Sequence, residues 1–238
     1  MRHYGIIGNP LDHSMSARYF NEKFAREHIE AEYALYPLNA LTEERLKELM
    51  ATLDGMNVTF PYKEAVIPYL KRLDETAATI GAVNVIYQGG GYNTDCLGFM
   101  AAIKPLLRKD DHKALVLGTG GAAKAVCYGL HQLGITPTLV SRTPQTGMLS
   151  YEDLTQEVMV AHTIIINCTP LGMLPDVSTC PPIPYHLVTS RHLLFDCVYN
   201  PEETVFLSKG KAQGATISNG LEMLTNQAQA AWKIWNNE

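Results

Sequence analysis

The sequence predicts an α/β protein built on mainly parallel sheets, and three observations carry that prediction. Short apolar runs such as "YGIIG", "KALVL" and "TIIIN" alternate with stretches at helical spacing, the signature of βαβ units. A glycine cluster follows directly on one of these runs and opens a helix. Polar and charged residues gather where other runs end, and in open α/β sheets that edge is where ligands bind.

The elements follow in order. "YGIIG" reads as a strand, and a helical pattern runs from Ser14 to about His28. Strand "AEYALYPL", helix "LTEERLKELMATL" and a buried strand ending in "NVTF" come next, stopped by Pro61. "GAVNVIY" reads as a strand and "DCLGFMAAIKPLL" as a helix. A second style begins at "KALVLGTGGAAKAVCYGLHQLG" and continues through strands "TPTLVS", "TIIINC" and "LLFDCVY". A short helix near "ETVFLSKG" and a strand near "ATIS" follow. "CPPIPYH" reads as a surface loop. The last helix carries Leu221, Leu224, Ala228, Ala231, Trp232 and Trp235 at helical spacing, a stripe that should dock on a core.

Composition narrows the class. At 238 residues the chain can hold one large domain or two modest ones. Its content, 46% hydrophobic and 18% charged, suits a packed core, and no apolar run reaches a membrane span. The start "MRHYGIIGNP" is broken by Asn9-Pro10 too early for a secretory signal. A net charge of -5 without basic clusters argues against nucleic acid as a partner. The five cysteines, Cys96, Cys127, Cys168, Cys180 and Cys197, form neither a C-x-x-C pair nor a zinc spacing, which points to a reducing cytoplasm. The eight histidines form no H-E-x-x-H cluster, and no metal is assigned.

The glycine cluster Gly118-Thr119-Gly120-Gly121-Ala122, with Ala123 completing G-x-G-x-x-A, sits between a strand and a helix. Glycines there let backbone N–H groups reach a pyrophosphate at the helix N-terminus, although an ordinary tight turn has the same outline. NAD enzymes of this fold usually place an acid at the end of the second strand, but none lies between Gly134 and Tyr151. Ser141-Arg142-Thr143 stands there instead, and a guanidinium with two hydroxyls suits a 2′-phosphate, favouring NADP.

In the first half, Ser14 and Ser16 open a helix and could seat a carboxylate. "NVTFPYK" brings Asn57, Thr59 and Lys63 to one strand end, "GAVNV" adds Asn84, and "GYNTDCLG" adds Asn93, Thr94 and Asp95. These groups suit a small polyhydroxylated acid. Lys63 and Asp95 are the pair chosen for chemistry: oxidising an alcohol needs a hydride acceptor and removal of the hydroxyl proton, and an amine held by a carboxylate can move that proton.

With these motifs in order, the sequence resembles the shikimate dehydrogenase family nearly end to end. The carriers are G-N-P-L-D-H-S-M-S, N-V-T-F-P-Y-K, G-A-V-N, N-T-D-C-L-G, G-T-G-G-A, S-R-T, N-C-T-P-L-G-M, D-C-V-Y-N-P-E-E-T and N-G-L-E-M-L-T-N-Q-A. The resemblance implies NADP-dependent interconversion of 3-dehydroshikimate and shikimate in aromatic amino-acid synthesis, in a cytoplasmic monomer or homodimer. It implies an N-terminal α/β substrate domain, residues 1–97 and 219–238, and a Rossmann-type NADP-binding domain, residues 98–218, with the cleft between them. Lys63 and Asp95 then resemble the family's catalytic pair. Ser14, Ser16 and Tyr199 resemble its carboxylate site, and Thr59, Asn84, Asp95 and Gln227 the partners of the ring hydroxyls. Gly118 to Ala122, Ser141, Arg142 and Thr143 resemble its cofactor contacts, with Thr169, Cys197 and Gly220 lining the rest of that site. Ala17 stands where the family commonly has proline, Val85 where threonine is frequent, and the segment after Arg142 is shortened.

Three other readings compete with this one. One is a quinate-accepting relative with relaxed cofactor use, and another is an idle dinucleotide-binding protein on the same fold. The third, a short-chain dehydrogenase, would use Tyr19 and Lys23 at Y-x-x-x-K spacing, but that pair precedes the glycine loop inside an amphipathic helix.

Overall fold

The computed structural model describes residues 1–12 and 14–237, so His13 of the first motif lies outside the described residues. The chain divides into two compact units, Met1–Leu97 with Gln227–Glu238, and Gly98–Asn226.

The first unit is built on β1 (Arg2–Gly8), β2 (Ala31–Pro37), β3 (Gly55–Val58), β4 (Arg72–Leu73), β5 (Val85–Tyr87) and β6 (Gly90–Tyr92), in the order β2-β1-β3-β5-β6-β4. β1 pairs parallel with β2 and β3, as the βαβ pattern predicts. The far edge differs: β5 runs antiparallel to both β3 and β6, so "GAVNVIYQGGGY" makes a hairpin the sequence reading did not contain. Its strands are three residues each and one is mostly glycine, which leaves no period-2 signal to read.

Alternation along the strands sorts side chains to the two faces. Tyr4, Ile6, Tyr33 and Val85 join Phe20, Phe24, Ala231 and Trp235 in one core. Ile7, Met56, Val58 and Ile86 join Leu46, Leu49, Val66 and Val83 in the other. The helices explain themselves by the same rule. Phe20 and Phe24 lie one turn apart on α1 (Ser16–Arg26), and Leu46 and Leu49 on α2 (Glu43–Thr52), which is capped by the Thr42 hydroxyl. Asp74 caps α3 (Glu75–Ile80) in the same way.

The second unit follows the predicted pattern more closely. β7 (Lys113–Leu117), β8 (Thr136–Val140), β9 (Ile164–Asn167), β10 (Leu193–Asp196) and β11 (Thr216–Ser218) form an all-parallel sheet in the order β11-β10-β9-β7-β8. Its central strands are buried on both faces, which is why "TIIIN" and "LLFD" read as continuous apolar runs. Val116, Ile166 and Phe195 pack with α5 (Gly121–Gln132), while Leu117, Ile165 and Leu194 pack with α6 (Gln156–Ala161) and α7 (Val205–Ala212). "CPPIPYH" is not only surface: Ile183 is buried in the second of these cores.

The chain passes between the units within α4 (Asp95–Ile103) and α8 (Leu221–Trp235). On α8 the expected stripe docks through Ala228, Ala231, Trp232 and Trp235 and differs in its first turns. Leu221 is exposed, and Met223, Gln227, Ala228, Ala231 and Trp235 are the buried positions.

Candidate active site

In the first unit, residues far apart in sequence meet in one hydrogen-bonded cluster. The Lys63 Nζ donates to Asp95 Oδ2 at 2.6 Å, and the two side chains are only 18% and 9% exposed. That burial separates the pair from ordinary surface ion pairs, which are screened by water. The loop carrying Lys63 is pinned on both sides. Tyr62 N donates to Thr59 O, the Tyr62 hydroxyl to Leu38 O, and Val83 N to Lys63 O. Asp95 is the first residue of α4, where the helix N-terminus favours a negative charge.

Asn84 joins the pair to the rest. Its two Nδ2 protons are shared among Asp95 Oδ1 and Thr94 Oγ1, both at 2.9 Å, and Gln227 Oε1 at 3.2 Å, while its Oδ1 accepts from Thr94 N at 2.7 Å. Thr59 lies at the end of β3, its N–H donating to Ile7 O. Ser16 is the first residue of α1, whose N-cap, Met15, supplies no side-chain acceptor. The first N–H groups of this helix are therefore left to local partners such as Ser14 Oγ, 3.4 Å from Ser16 N, or to an anion. Thus Lys63, Asp95, Asn84 and Gln227 are brought together, and Ser14, Ser16 and Thr59 occupy strand-end and helix-start positions of the same unit. Tyr199 belongs to the other unit and is half-buried. Tyr19 and Lys23 lie on α1, where Lys23 pairs with Glu27 at 2.6 Å over the Trp232 ring, a structural arrangement.

The second unit carries every residue expected to hold a dinucleotide. Gly118 adopts φ +108°, a conformation side chains rarely allow, and a Cβ on it would lie 3.3 Å from the Cys168 backbone. Thr119 and Gly120 are exposed, and a Cβ on Gly120 would meet nothing within 4 Å. Gly120 caps α5 without a side-chain hydrogen bond, so the N–H groups from Gly121 and Ala122 onward have no capping side chain. An open, uncapped helix start behind a left-handed glycine fits a pyrophosphate. At the end of β8, Thr143 N donates to Ser141 Oγ, and Arg142 is exposed.

Thr169 is held by Asn167, whose Oδ1 accepts from its hydroxyl at 2.6 Å. Asn167 Nδ2 in turn donates to Asp196 Oδ1 at 2.9 Å, and the Thr204 hydroxyl donates to Asp196 Oδ2 at 2.6 Å. Burial pushes the Asp196 carboxyl up to about 6 in spite of these donors. Gly220 packs on the Cys197 carbonyl, which leaves no room for a Cβ. The Cys168 and Cys197 sulfurs lie 3.7 Å apart, and all five cysteines are free thiols. Among the described residues no group of three or more His, Cys, Asp or Glu side chains is placed to hold a metal ion, and no helix is long and apolar enough to cross a membrane.

Two features escaped the sequence reading. Tyr33 donates to Asn57 Oδ1 at 2.7 Å, but "AEYALYPL" reads only as a strand, with nothing to single out this residue. Thr94 stands out in the sequence only by its position, and its two hydrogen bonds with Asn84, one accepted and one donated, become visible only in three dimensions.

Comparison with known proteins agrees with this geometry. The family described as the shikimate dehydrogenase substrate binding domain matches residues 6–86. A protein of Clostridium beijerinckii named shikimate dehydrogenase (NADP(+)) is 38% identical, over 99% of this chain and 92% of its own. The crystal structure of shikimate dehydrogenase from Aquifex aeolicus superposes with a TM-score of 0.90 at 33% identity, covering 100% of this chain and 93% of that one. Shikimate 5-dehydrogenase from Thermus thermophilus, solved in complex with NADP(H) and shikimate, gives 0.89 at 31% identity, covering 100% and 94%. On these likenesses, which run through both units, the chain belongs to the shikimate dehydrogenase family.

Proposed function

We propose that this chain interconverts 3-dehydroshikimate and shikimate with NADP, with Lys63 and Asp95 as its proton-transfer pair. The observation that carries the reading is the buried 2.6 Å contact between Lys63 and Asp95, tied through Asn84 to Gln227. In the direction of reduction, Lys63 Nζ gives a proton to the carbonyl oxygen as it becomes a hydroxyl; in oxidation it takes that proton back. Asp95 holds the amine through Oδ2 while Asn84 fixes Oδ1, so the amine is aimed before substrate arrives. Thr59, Asn84, Asp95 and Gln227 take the ring hydroxyls. Ser14 and Ser16 at the start of α1 seat the carboxylate, with Tyr199 assisting.

NADP supplies or accepts the hydride when bound. Gly118, Thr119, Gly120, Gly121 and Ala122 would hold its pyrophosphate, Ser141, Arg142 and Thr143 its 2′-phosphate, and Thr169, Cys197 and Gly220 the nicotinamide end. On this reading the first unit, Met1–Leu97 with Gln227–Glu238, is the substrate domain, and Gly98–Asn226 the nucleotide domain. Five free thiols suit a reducing compartment such as the cytoplasm.

A steady-state assay with shikimate and quinate against NADP⁺ and NAD⁺ tests the reading. Turnover should be fastest with shikimate and NADP⁺. Faster turnover of quinate would assign the chain to the quinate-accepting relatives, and NADPH binding without turnover would make it an idle dinucleotide binder.

A further inference from the structure

Asn57 is the residue of the "NVTFPYK" strand end that has no place in the proposed chemistry. It lies on β3 between Met56 and Val58, whose side chains enter the core with Leu46. Alternation turns Asn57 to the other face, the aromatic core of Tyr4, Phe20, Tyr33 and Trp235, where it is 5% exposed. An amide in such a core is costly unless both its ends are paired, and a leucine would serve burial better.

Both ends are paired, and the partners lead to the site. The Tyr33 hydroxyl donates to Asn57 Oδ1 at 2.7 Å, and Asn57 Nδ2 donates to the Asn84 carbonyl at 3.1 Å. Tyr33 is also fastened to α1: Asn21 Nδ2 donates to its carbonyl and Asn21 Oδ1 accepts from its N–H, both at 2.9 Å, five residues beyond Ser16 at the head of that helix. The hydrogen-bonded chain therefore runs Tyr33–Asn57–Asn84–Asp95–Lys63, and α1, with Ser16 as its first residue, is tied to its Tyr33 end. That end is rigid: the Tyr33 ring stacks on Phe20 with centroids 4.7 Å apart and 12° between planes. The Tyr33 proton also fixes which way the Asn57 amide faces, because the oxygen must meet the phenol and the NH2 must meet the Asn84 carbonyl.

We infer that Tyr33 and Asn57 are positioning residues, a buried strut that sets the Ser16 end of the substrate site against the Asn84–Asp95–Lys63 end. The inference rests on the function proposed above, in which Ser16 meets the substrate carboxylate and the other end meets the reacting oxygen. A small acid bound at both ends reacts only when the two are in register, and errors of an ångström or less are costly in rate. The sheet already holds the Asn84 backbone through Val58 N, at 2.9 Å from Asn84 O. Asn57 adds the link that carries registration across to Ser16.

The test is Tyr33→Phe, which removes one oxygen and keeps the ring on Phe20. The kcat/KM for shikimate should fall roughly fivefold, the value of one hydrogen bond, with KM for NADP⁺ unchanged. In a Ser16→Ala background the same change should cost less than about twofold, because the strut has already lost that end. Tyr33→Phe/Asn57→Leu, which removes both partners and leaves no orphaned amide in the core, should stay folded by thermal melting and keep the reduced kcat/KM. A folded Tyr33→Phe protein with wild-type kcat/KM would overturn the inference. So would equal losses toward shikimate and NADP⁺, which indicate general loosening, or full additivity with Ser16→Ala. A wild-type protein that fails to oxidise shikimate overturns the functional reading and the strut with it; an active wild type with an insensitive Tyr33 overturns the strut alone.

Discussion

Replacing Asp95 by asparagine changes one atom and should be close to the most damaging single substitution in the first unit. The carboxylate accepts on both oxygens: Oδ2 from Lys63 at 2.6 Å and Oδ1 from Asn84 Nδ2 at 2.9 Å. An amide has one acceptor. If its oxygen faces Lys63, its NH2 faces the NH2 of Asn84; flipped, its NH2 faces an ammonium group. Either way one buried donor is orphaned, at about 1–3 kcal/mol, and the lysine loses its counter-charge in a place water barely reaches. The stability loss should be about 3 kcal/mol by urea denaturation at neutral pH. The rate loss should be larger, because the misplaced amine is the proposed proton carrier; kcat should fall roughly 10²- to 10⁴-fold, the range for general acid–base groups. NADPH formation followed by absorbance gives kcat, and NADPH binding to the variant, which should be unchanged, shows that the second unit is intact. An Asp95→Asn protein that retains kcat within about threefold of wild type would refute the assignment, since no orientation of the amide preserves the geometry.

Three further outcomes follow from the second unit. Asp196 should make stability fall as pH rises: its carboxyl, ordinarily near 3.8, is held up to about 6, so between those values the unfolded chain releases a proton that the fold retains. The cost approaches about 3 kcal/mol above pH 6, and the wild-type minus Asp196→Asn difference in urea stability should show that slope; a flat difference from pH 4 to 8 would contradict it. Arg142→Ala should weaken NADP⁺ roughly 10- to 100-fold and NAD⁺ little, as expected for a charge-assisted contact to a 2′-phosphate; equal losses in KM for the two cofactors would remove that contact. Gly118→Ala should raise KM for NADP⁺ at a strain of about 1–3 kcal/mol while shikimate binding, measured by calorimetry, stays the same; unchanged cofactor KM would mean the turn does not cradle the pyrophosphate.

What could be read in advance depended on how local each signal is. The glycine loop is a run of adjacent residues between a strand and a helix, and β7, Gly118 and α5 stand where the spacing predicts them. The central strands of the second sheet are buried on both faces, so their apolar runs are unbroken and easily found. The β5–β6 hairpin was not legible, because two strands of three residues, one of them Gly90-Gly91-Tyr92, offer too few positions for any period. The candidate site residues were found as motifs, and their mutual contacts were not. The Asn84–Gln227 bond spans 143 residues, and only the fold closes it.

The phase of a helix or strand, more than its existence, decides what such a site residue does. On α8 the buried stripe runs through Met223, Gln227, Ala228, Ala231 and Trp235, not through Leu221, so Gln227 sits inside an apolar row. A glutamine there must find a polar partner, and it finds Asn84. On β3 the same logic separates neighbours: Met56 and Val58 go to one core and Asn57 to the other, where Tyr33 receives it. The lysine five residues beyond Val58 belongs to the turn and is free of that alternation, so it can reach Asp95 at the head of α4. A single strand end thus supplies an amide and an ammonium group with different duties, because one still obeys the pleat of the sheet and the other has left it.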